Sequence, residues 1–373
     1  MKITIDRSSF LKPMAHIQSV VERRNTIPIL ANVLLQAKAG RLSMTATDMD
    51  MDLVNSTVCI VDQPGSITVS AFTLYDIIRK LPNGSEVKLN MDKDSVSLSI
   101  SAGRSKFLLP TLKADEFPSL PNDQITINFM LSAVNAKSLI DRTRFAISTE
   151  ESRYYLNGMY LHETQVNNIS VLRAVTTDGH RLALMEIPLP ESASGIPPVI
   201  VPRKAIIEIR KLIDESEGSV HVAFSKNKLR FNFVDTAITT KLIDGNFPDY
   251  ERVIPTSNDK IMRLECRSLK KAVERIAIIS TAKSRSVKLE INKGNLILSA
   301  KNPDNAWATE DMNVDYDSDP IEIGFNSRYL LEIANQFNDS ATVLFHIADK
   351  TSPAIVTNEK NDGALYVIMP MRI

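Results

Sequence analysis

Apolar and polar positions follow two rhythms along this chain. Val96, Leu98 and Ile100 alternate with serines. Val220, Val222 and Phe224 alternate in the same way, and Leu229, Phe231 and Phe233 follow across Ser225-Lys226-Asn227-Lys228. A period of two marks half-buried strands, whose successive side chains point to opposite faces. Leu289 and Ile291 are expected to pair with Leu296 and Leu298 across the hairpin turn Asn292-Lys293-Gly294-Asn295. Elsewhere the rhythm is helical. Leu269, Ala272, Val273 and Ile276 share one face, with Arg267, Lys270, Lys271, Glu274 and Arg275 opposite. Ile206, Ile209, Leu212 and Ile213 form the apolar face of another helix beginning at Arg203, and Lys204, Glu208, Arg210 and Lys211 are expected away from it.

These elements recur. Ile77-Ile78-Arg79-Lys80-Leu81 matches Glu208-Ile209-Arg210-Lys211-Leu212 at an offset of 131 residues. Ala46-Thr47-Asp48 matches Thr176-Thr177-Asp178, and Phe117-Pro118-Ser119-Leu120 matches Phe247-Pro248-Asp249-Tyr250, both at an offset of 130. One order and one spacing point to an internal repeat. A fainter third copy places Leu330 to Phe337 where the Arg-Lys-Leu helices sit, and Ser299-Ala300-Lys301-Asn302 where the Thr-Asp segments sit. Each third reads helix, hairpin strands, second helix, hairpin strands: an α+β unit with two helices packed on antiparallel sheet. Boundaries are expected in the Pro/Asn/Asp-rich stretches from Pro121 to Ile125 and from Pro255 to Asp259, giving domains 1–124, 125–255 and 256–373.

Composition adds limits. The 373 residues are 43% hydrophobic and 24% charged, as in soluble globular chains with real cores. Met1-Lys2-Ile3-Thr4-Ile5-Asp6-Arg7 has no uninterrupted apolar core, so a secretory leader is not expected, and no stretch is apolar enough to span a membrane. Cys59 and Cys266 lack any metal-ligand spacing and suit a reducing cytoplasm; no metal or cofactor is expected. Formal charge is zero, with 44 basic and 44 acidic residues, so bulk charge predicts no nucleic-acid partner.

The distribution of charge says more. The six expected helices, at 8–24, 72–81, 131–146, 203–213, 267–280 and 327–337, carry +11 together and leave −11 to the rest. Lys and Arg are good helix formers and commonly solubilise exposed faces. Glu is an equally good former, however, and its scarcity here argues that the sign matters. A positive helical surface would attract phosphate at long range without reading bases, and would leave a bound protein free to slide.

Thr177-Asp178-Gly179-His180-Arg181 invites an enzymatic reading, since a histidine beside an aspartate can act in acid–base catalysis. No nucleophile elbow, phosphate-binding loop, HExxH or GxGxxG accompanies it. Three equivalent repeats also fit a scaffold better than one active site, so no enzyme is expected.

Several segments carry a family resemblance together. They are Thr26-Ile27-Pro28-Ile29-Leu30, Arg153-Tyr154-Tyr155-Leu156-Asn157-Gly158-Met159, Thr177-Asp178-Gly179-His180-Arg181-Leu182-Ala183, Val201-Pro202-Arg203-Lys204, Asp244-Gly245-Asn246-Phe247-Pro248-Asp249-Tyr250 and Met369-Pro370-Met371-Arg372-Ile373. In order and spacing the whole chain resembles the sliding-clamp family, the β subunits of bacterial DNA polymerase III. The resemblance implies three clamp domains per chain and a ring-shaped head-to-tail homodimer, with helices lining the hole. It implies an interface of Phe107 and Leu109 in domain 1 against Ile278 and Ile279 in domain 3; ordinary core is the alternative for these four.

The resemblance also implies a partner-peptide cleft between domains 2 and 3. Its second-domain side would be Leu156, Thr177, Gly179, His180, Arg181, Leu182, Pro248, Arg252 and Val253, and its other side Val367, Ile368, Met369, Pro370, Met371 and Arg372. Methionines offer a deformable apolar wall, and Arg and backbone groups would orient the peptide. A final core strand is the plainer reading of Val367 to Met371. For duplex DNA the resemblance implies Arg24, Arg203 and Lys204; the helix charges add Lys12, Arg79, Lys80, Lys137, Arg142, Lys211, Lys270 and Lys271. Glu150 falls where a relative has a neutral, DNA-contacting glutamine, and an acidic group beside phosphate argues against contact there. Implied partners are a second copy, the polymerase III catalytic subunit, the clamp loader, and other polymerases and repair proteins with clamp-binding motifs. Two further readings stay open: a peptide-binding scaffold that never closes on DNA, and an enzyme using His180 and Asp178.

Overall fold

Helices form where the helical rhythm runs: α1 Arg7–Val20, α2 Ala71–Lys80, α3 Ala133–Asp141, α4 Arg203–Asp214, α5 Cys266–Ala277 and α6 Ser327–Ala334. The computed structural model describes residues 1–23, 26–91, 96–121, 124–216, 218–280, 285–360 and 362–372. Side chains start several helices by accepting the amide hydrogens left over in a first turn. Asp6 accepts from Ser8 and Ser9 ahead of α1, Ser70 from Thr73 ahead of α2, and Asn326 from Arg328 ahead of α6. The apolar stripe of α5 is buried as expected at Leu269, Ala272, Val273 and Ile276.

Two helices depart from the expected pattern. Ile206, Ile209, Leu212 and Ile213 are buried on α4, but so are Glu208 and Arg210, which were expected away from the core. Glu208 tolerates burial because Ser19 Oγ donates to it at 2.6 Å and Lys211 Nζ at 2.7 Å; Arg210 pairs with Asp214. The helix expected over 131–146 is shorter. Leu131 and Ser132 finish the strand Ile127–Ser132, and α3 ends at Asp141. There Thr143 Oγ1 donates to the Leu139 carbonyl at 2.6 Å, and a 3-10 turn, Arg144–Ala146, follows.

The chain divides into two compact units. The first is Met1–Ala133 with Glu191–Ala193 and Ile207–Leu242, and the second is Val134–Pro190 with Ser194–Ile206 and Ile243–Ile373. A thirteen-stranded antiparallel sheet belongs to the first; an eight-stranded and a four-stranded sheet belong to the second. In the first, Met51–Val58 pairs with Thr236–Lys241, setting Asp52 opposite Thr239. In the second, Arg181–Pro188 pairs with Ala364–Ile368, setting Leu182 opposite Val367. The repeat is therefore also a repeat of junctions, each joining one third of the chain to the next by a shared sheet.

The expected hairpins form in register. Leu289 faces Leu298 and Ile291 faces Leu296, with Gly294 at a φ of +72° in the turn, where a side chain would be strained. Val222 faces Phe231 and Phe224 faces Leu229. Val96 is a correction: it precedes the strand Ser97–Ala102 and is 78% exposed.

The recurring Thr-Asp pair is a turn device. Thr47 Oγ1 accepts from the Met49 amide, and Asp48 Oδ1 from the amides of Asp50 and Met51. One repeat later Thr177 Oγ1 accepts from Gly179, and Asp178 Oδ1 from His180 and Arg181. Local side-chain acceptors of this kind fix a turn without help from the rest of the fold.

Candidate functional site

Two of the expected cleft residues, Leu182 and Val367, meet in one core cluster of the second unit. Val175, Leu182, Leu184, Tyr250 and Val367 form one buried cluster, with Tyr160, Phe247, Ile254 and Leu365 packed against it. Leu182 and Val367 face one another across the strand pair, so their side chains share a face of the sheet. The Met369 amide donates to the His180 carbonyl at 2.9 Å, carrying the pairing past the strand's end. The 3-10 turn Tyr250–Val253 brings Pro248, Arg252 and Val253 beside this floor. Leu156, Leu182, Val367 and Ile368 are buried, whereas Val253 is 49% and Met369 39% exposed. Leu182, Val367 and Ile368 are thus core, as the plain reading of that strand expects, while Met369 keeps an exposed side chain.

Gly179 has a φ of +86°, which L side chains rarely adopt, although Met49 takes +76° at the matching turn of the first repeat; a Cβ there would lie 2.7 Å from Arg153 Nη1, the movable end of a long side chain. His180 is exposed and its ring stacks on Tyr329 with centroids 6.4 Å apart. Asp178, its would-be catalytic partner, spends Oδ1 on the turn and Oδ2 on Arg181 Nε at 3.2 Å. Arg181 was expected to orient a peptide. Its guanidinium is instead buried between Phe145 and Tyr329, at 5.0 and 4.3 Å from their centroids, and bonds Glu332 and the Phe145 carbonyl. Its backbone is engaged as well, the amide donating to Asp178 Oδ1 and the carbonyl accepting from Thr177 Oγ1. Arg252 is exposed and pairs with Asp249 at 2.7 Å. Arg372 borders a separate hollow of about 440 Å³ with Lys288, Lys301 and Trp307.

Sequence reasoning missed Tyr154, which is 53% exposed, and Tyr155, edge-on to it at 5.8 Å. Their place in the Arg153–Met159 segment was the available signal. Glu150 is held by Arg153 at 2.6 Å, which neutralises the charge that argued against DNA there.

Behind the cleft lies a polar group of five side chains. Arg173 binds Glu186 through Nε at 2.7 Å, and through Nη1 it reaches Tyr250 Oη at 2.7 Å and Glu251 at 2.9 Å. His162 Nε2 sits 3.0 Å from the same hydroxyl. Burial pushes the Tyr250 hydroxyl up to about 12 and holds His162 below its ordinary value. His346 is likewise held down, by burial and then by Arg263.

These two histidines give a pH prediction. An unfolded chain charges them near 6.5, whereas the folded chain resists protonation until a lower pH. Between those values the unfolded state binds more protons, so stability is full above the unfolded value and falls as pH drops through it. Melting temperature is expected to drop between about pH 7.5 and about pH 5.5, with a shallower slope in His162→Gln. An unchanged slope in that variant would assign the loss elsewhere.

The expected DNA-facing cations differ in how far the fold already engages them. Arg142 bonds the Gln336 carbonyl and pairs with Asp362 at 3.0 Å, and Lys270 bonds Asp339 and the Phe337 carbonyl, with side chains only 24% and 15% exposed. Both are inside the fold's own bonding. Lys12 pairs with Glu215, Arg79 with Asp76 and Lys211 with Glu208, all at under 3 Å. Arg203, Lys80 and Lys271 are exposed without an ion pair among the described residues; Lys137 is exposed and Lys204 half-buried. Arg24 lies outside the described residues.

Of the interface candidates, Ile278 is 80% exposed at the end of α5 and Ile279 half-buried. Phe107 is 36% exposed, but Leu109 is 9% exposed and belongs to the core, opposite Leu98. The missed residue is Leu108, at 69%, on the other face of the same strand. That strand, Ser105–Leu112, pairs along its length with Ser97–Ala102, and with Gly65–Ser70 only at Leu112 and Thr111. Residues 105–110 therefore leave one edge open among the described residues. The strand Trp307–Asn313 likewise ends the four-stranded sheet, and its Trp307 is 69% exposed. Open edges with apolar side chains are templates for pairing.

Family models match the chain in three consecutive segments. They are the N-terminal, central and C-terminal domains of the DNA polymerase III beta subunit, over residues 1–121, 130–249 and 251–372. The chain is 50% identical to a beta sliding clamp of Caulobacter vibrioides over 373 residues, and 38% identical to that of Escherichia coli K12 over 375, covering 100% of each chain. A crystal structure of the DNA polymerase sliding clamp from Caulobacter crescentus superposes with a TM-score of 0.96 at 49% identity, covering 100% of both. A sliding clamp from Bartonella birtlesii bound to griselimycin superposes with a TM-score of 0.97 at 44% identity, also covering 100% of both.

Proposed function

The chain belongs to the DNA polymerase III beta subunit family, and from that premise we propose how this sliding clamp confers processivity. Two copies join head to tail and enclose duplex DNA, and the cleft at Leu182 and Val367 holds the polymerase and other partners by an extended peptide. The observation that carries this reading is the run of three clamp-domain matches through the length of the chain. The proposal includes three domains at 1–124, 125–255 and 256–373 and a cytoplasmic, non-catalytic role. The engagement of Asp178 in its turn supports the last point, because the carboxylate is not available as a base toward His180.

The mechanism is geometric. Apolar edges at Leu108 and at Trp307 and Ile278 meet across each of two copies of one heterologous interface, and rotation closes the ring. Arg203, Lys80 and Lys271, with Lys137 and Lys204, supply phosphate attraction without base contacts. Lys12, Arg79 and Lys211 contribute less, since each charge is already paired; Arg142 and Lys270 are set aside. Holding by topology lets each contact stay weak, so the ring slides. The cleft, of stated apolar floor and two exposed apolar walls, takes the partner's side chains while strand-end backbone groups orient its chain. Polymerase, clamp loader and repair proteins then compete for one site.

The test is retention on DNA after loading onto nicked circles. The protein is expected to stay on circular DNA and to leave within minutes of linearisation. Equal loss from both forms would end the ring reading and leave a peptide-binding scaffold.

A further inference from the structure

One wall of the cleft rests on a turn outside the sheet, Tyr250–Val253, and its anchor is the buried ring of Tyr250. The Tyr250 hydroxyl has one hydrogen and two acceptors within reach, His162 Nε2 at 3.0 Å and Glu251 at 3.3 Å. His162 Nδ1 lies 3.0 Å from the Glu163 carbonyl, which only accepts, so Nδ1 carries the proton. His162 Nε2 is then an acceptor and takes the Tyr250 hydroxyl hydrogen. The tyrosine oxygen keeps its lone pairs for Arg173 Nη1. Arg173 reaches it from the strand Ile169–Thr177, with Glu186 holding the other side of its guanidinium and Glu251 sharing Nη1. The stacked pair Tyr160 and Phe247, with centroids 4.7 Å apart, leaves Tyr250 little room to turn.

We propose that Arg173 is a positioning residue for partner binding: through Tyr250 it holds the Pro248–Val253 wall at the spacing from Val367 and Met369 that admits a peptide. The inference rests on the reading of this cleft as the peptide site. It adds a polar latch beside the apolar cluster, on the same face of the sheet. Protonation of His162 rearranges the latch, because its Nε2 then donates to the hydroxyl oxygen and the hydroxyl hydrogen goes to Glu251. The charges facing His162 are Arg173, Glu186 and Glu251, and Tyr160 and Tyr250 are the other titratable neighbours. Arg173 opposes that proton and the two glutamates favour it.

The experiment measures affinity for a labelled peptide carrying the polymerase's clamp-binding segment, in the full-length dimer. Tyr250→Phe removes one oxygen from a filled site and is expected to weaken binding about fivefold to tenfold. Arg173→Gln is expected to lose at least as much, and the double variant no more than Arg173→Gln alone, because both act through one bond. Wild-type affinity is expected to change only below the ordinary histidine value near 6.5, where folded His162 begins to charge, and the Tyr250→Phe profile to lack that change. A general loss of structure would instead lower dimer mass and melting together without flattening the profile, and would overturn the proposal. Full affinity in Tyr250→Phe would overturn it too. A wild-type protein that does not bind the peptide would instead overturn the cleft reading itself. Should Arg173→Gln not fold, Tyr250→Phe alone decides.

Discussion

Changing Ile278 to aspartate is expected to turn the homodimer into single chains at micromolar concentration. Ile278 exposes 80% of its surface at the end of α5, so an interface that covers it takes a large aliphatic group out of water. Covering it contributes about 1.5 to 3 kcal/mol, and a carboxylate in its place adds the cost of burying an unpaired charge. A two-fold head-to-tail ring contains the interface twice, so one substitution acts twice. A loss of roughly 3 kcal/mol at each interface is then about 6 kcal/mol per ring, or roughly a ten-thousandfold weaker dimer. Leu108→Asp, on the opposing open edge, is expected to do the same; Leu109 is core and would report stability instead. Sedimentation equilibrium gives the mass, and circular dichroism shows whether the chain stays folded. A folded Ile278→Asp protein that remains dimeric at nanomolar concentration would remove α5's end from the interface.

What the sequence made legible follows from how locally each feature is determined. Alternation and helical stripes are read within ten residues, so the hairpin pairing Leu289 with Leu298 and the buried face of α5 could be anticipated. The Thr-Asp turn, too, is closed by side chains two and three residues from its amides. Non-local pairing was invisible. Glu208 and Arg210 read as solvated because the helix wheel has no knowledge of Ser19 or of an ion pair inside the apolar face. Arg142, Arg181 and Lys270 read as available cations because their partners Gln336, Glu332 and Asp339 lie far along the chain. For the proposed cleft, resemblance named residues but not which of their atoms face outward. That Leu182 is floor and Val253 wall depends on the pairing of Arg181–Pro188 with Ala364–Ile368. The same dependence hid Leu108, since an extra apolar residue beside Phe107 and Leu109 breaks alternation without saying which face is free.

The exposure of the two wall residues makes the cleft separable from the fold. Truncation of the final segment would confuse the two, because the Met369 amide bonds the His180 carbonyl and the Met371 amide bonds the Gly324 carbonyl. Val253→Asp and Met369→Asp leave those backbone bonds in place. Each side chain is now about half exposed, so the fold gains little from it and stability should move by about 0.5 kcal/mol or less. A peptide seated on the floor covers the remainder. Each substitution then removes about 1 kcal/mol of apolar burial and leaves a carboxylate desolvated against an apolar ligand side chain, at a further 1 to 3 kcal/mol. Peptide affinity is expected to fall about thirtyfold to a thousandfold in either variant, and clamp-dependent DNA synthesis with it. Dimer mass and retention of the loaded ring on circular DNA are expected to be unchanged, because neither uses the cleft once loading is complete. Wild-type peptide affinity in both variants would move the partner site away from Val367 and Met369, whereas loss of retention with affinity intact would mean that the wall serves the ring and not the partner.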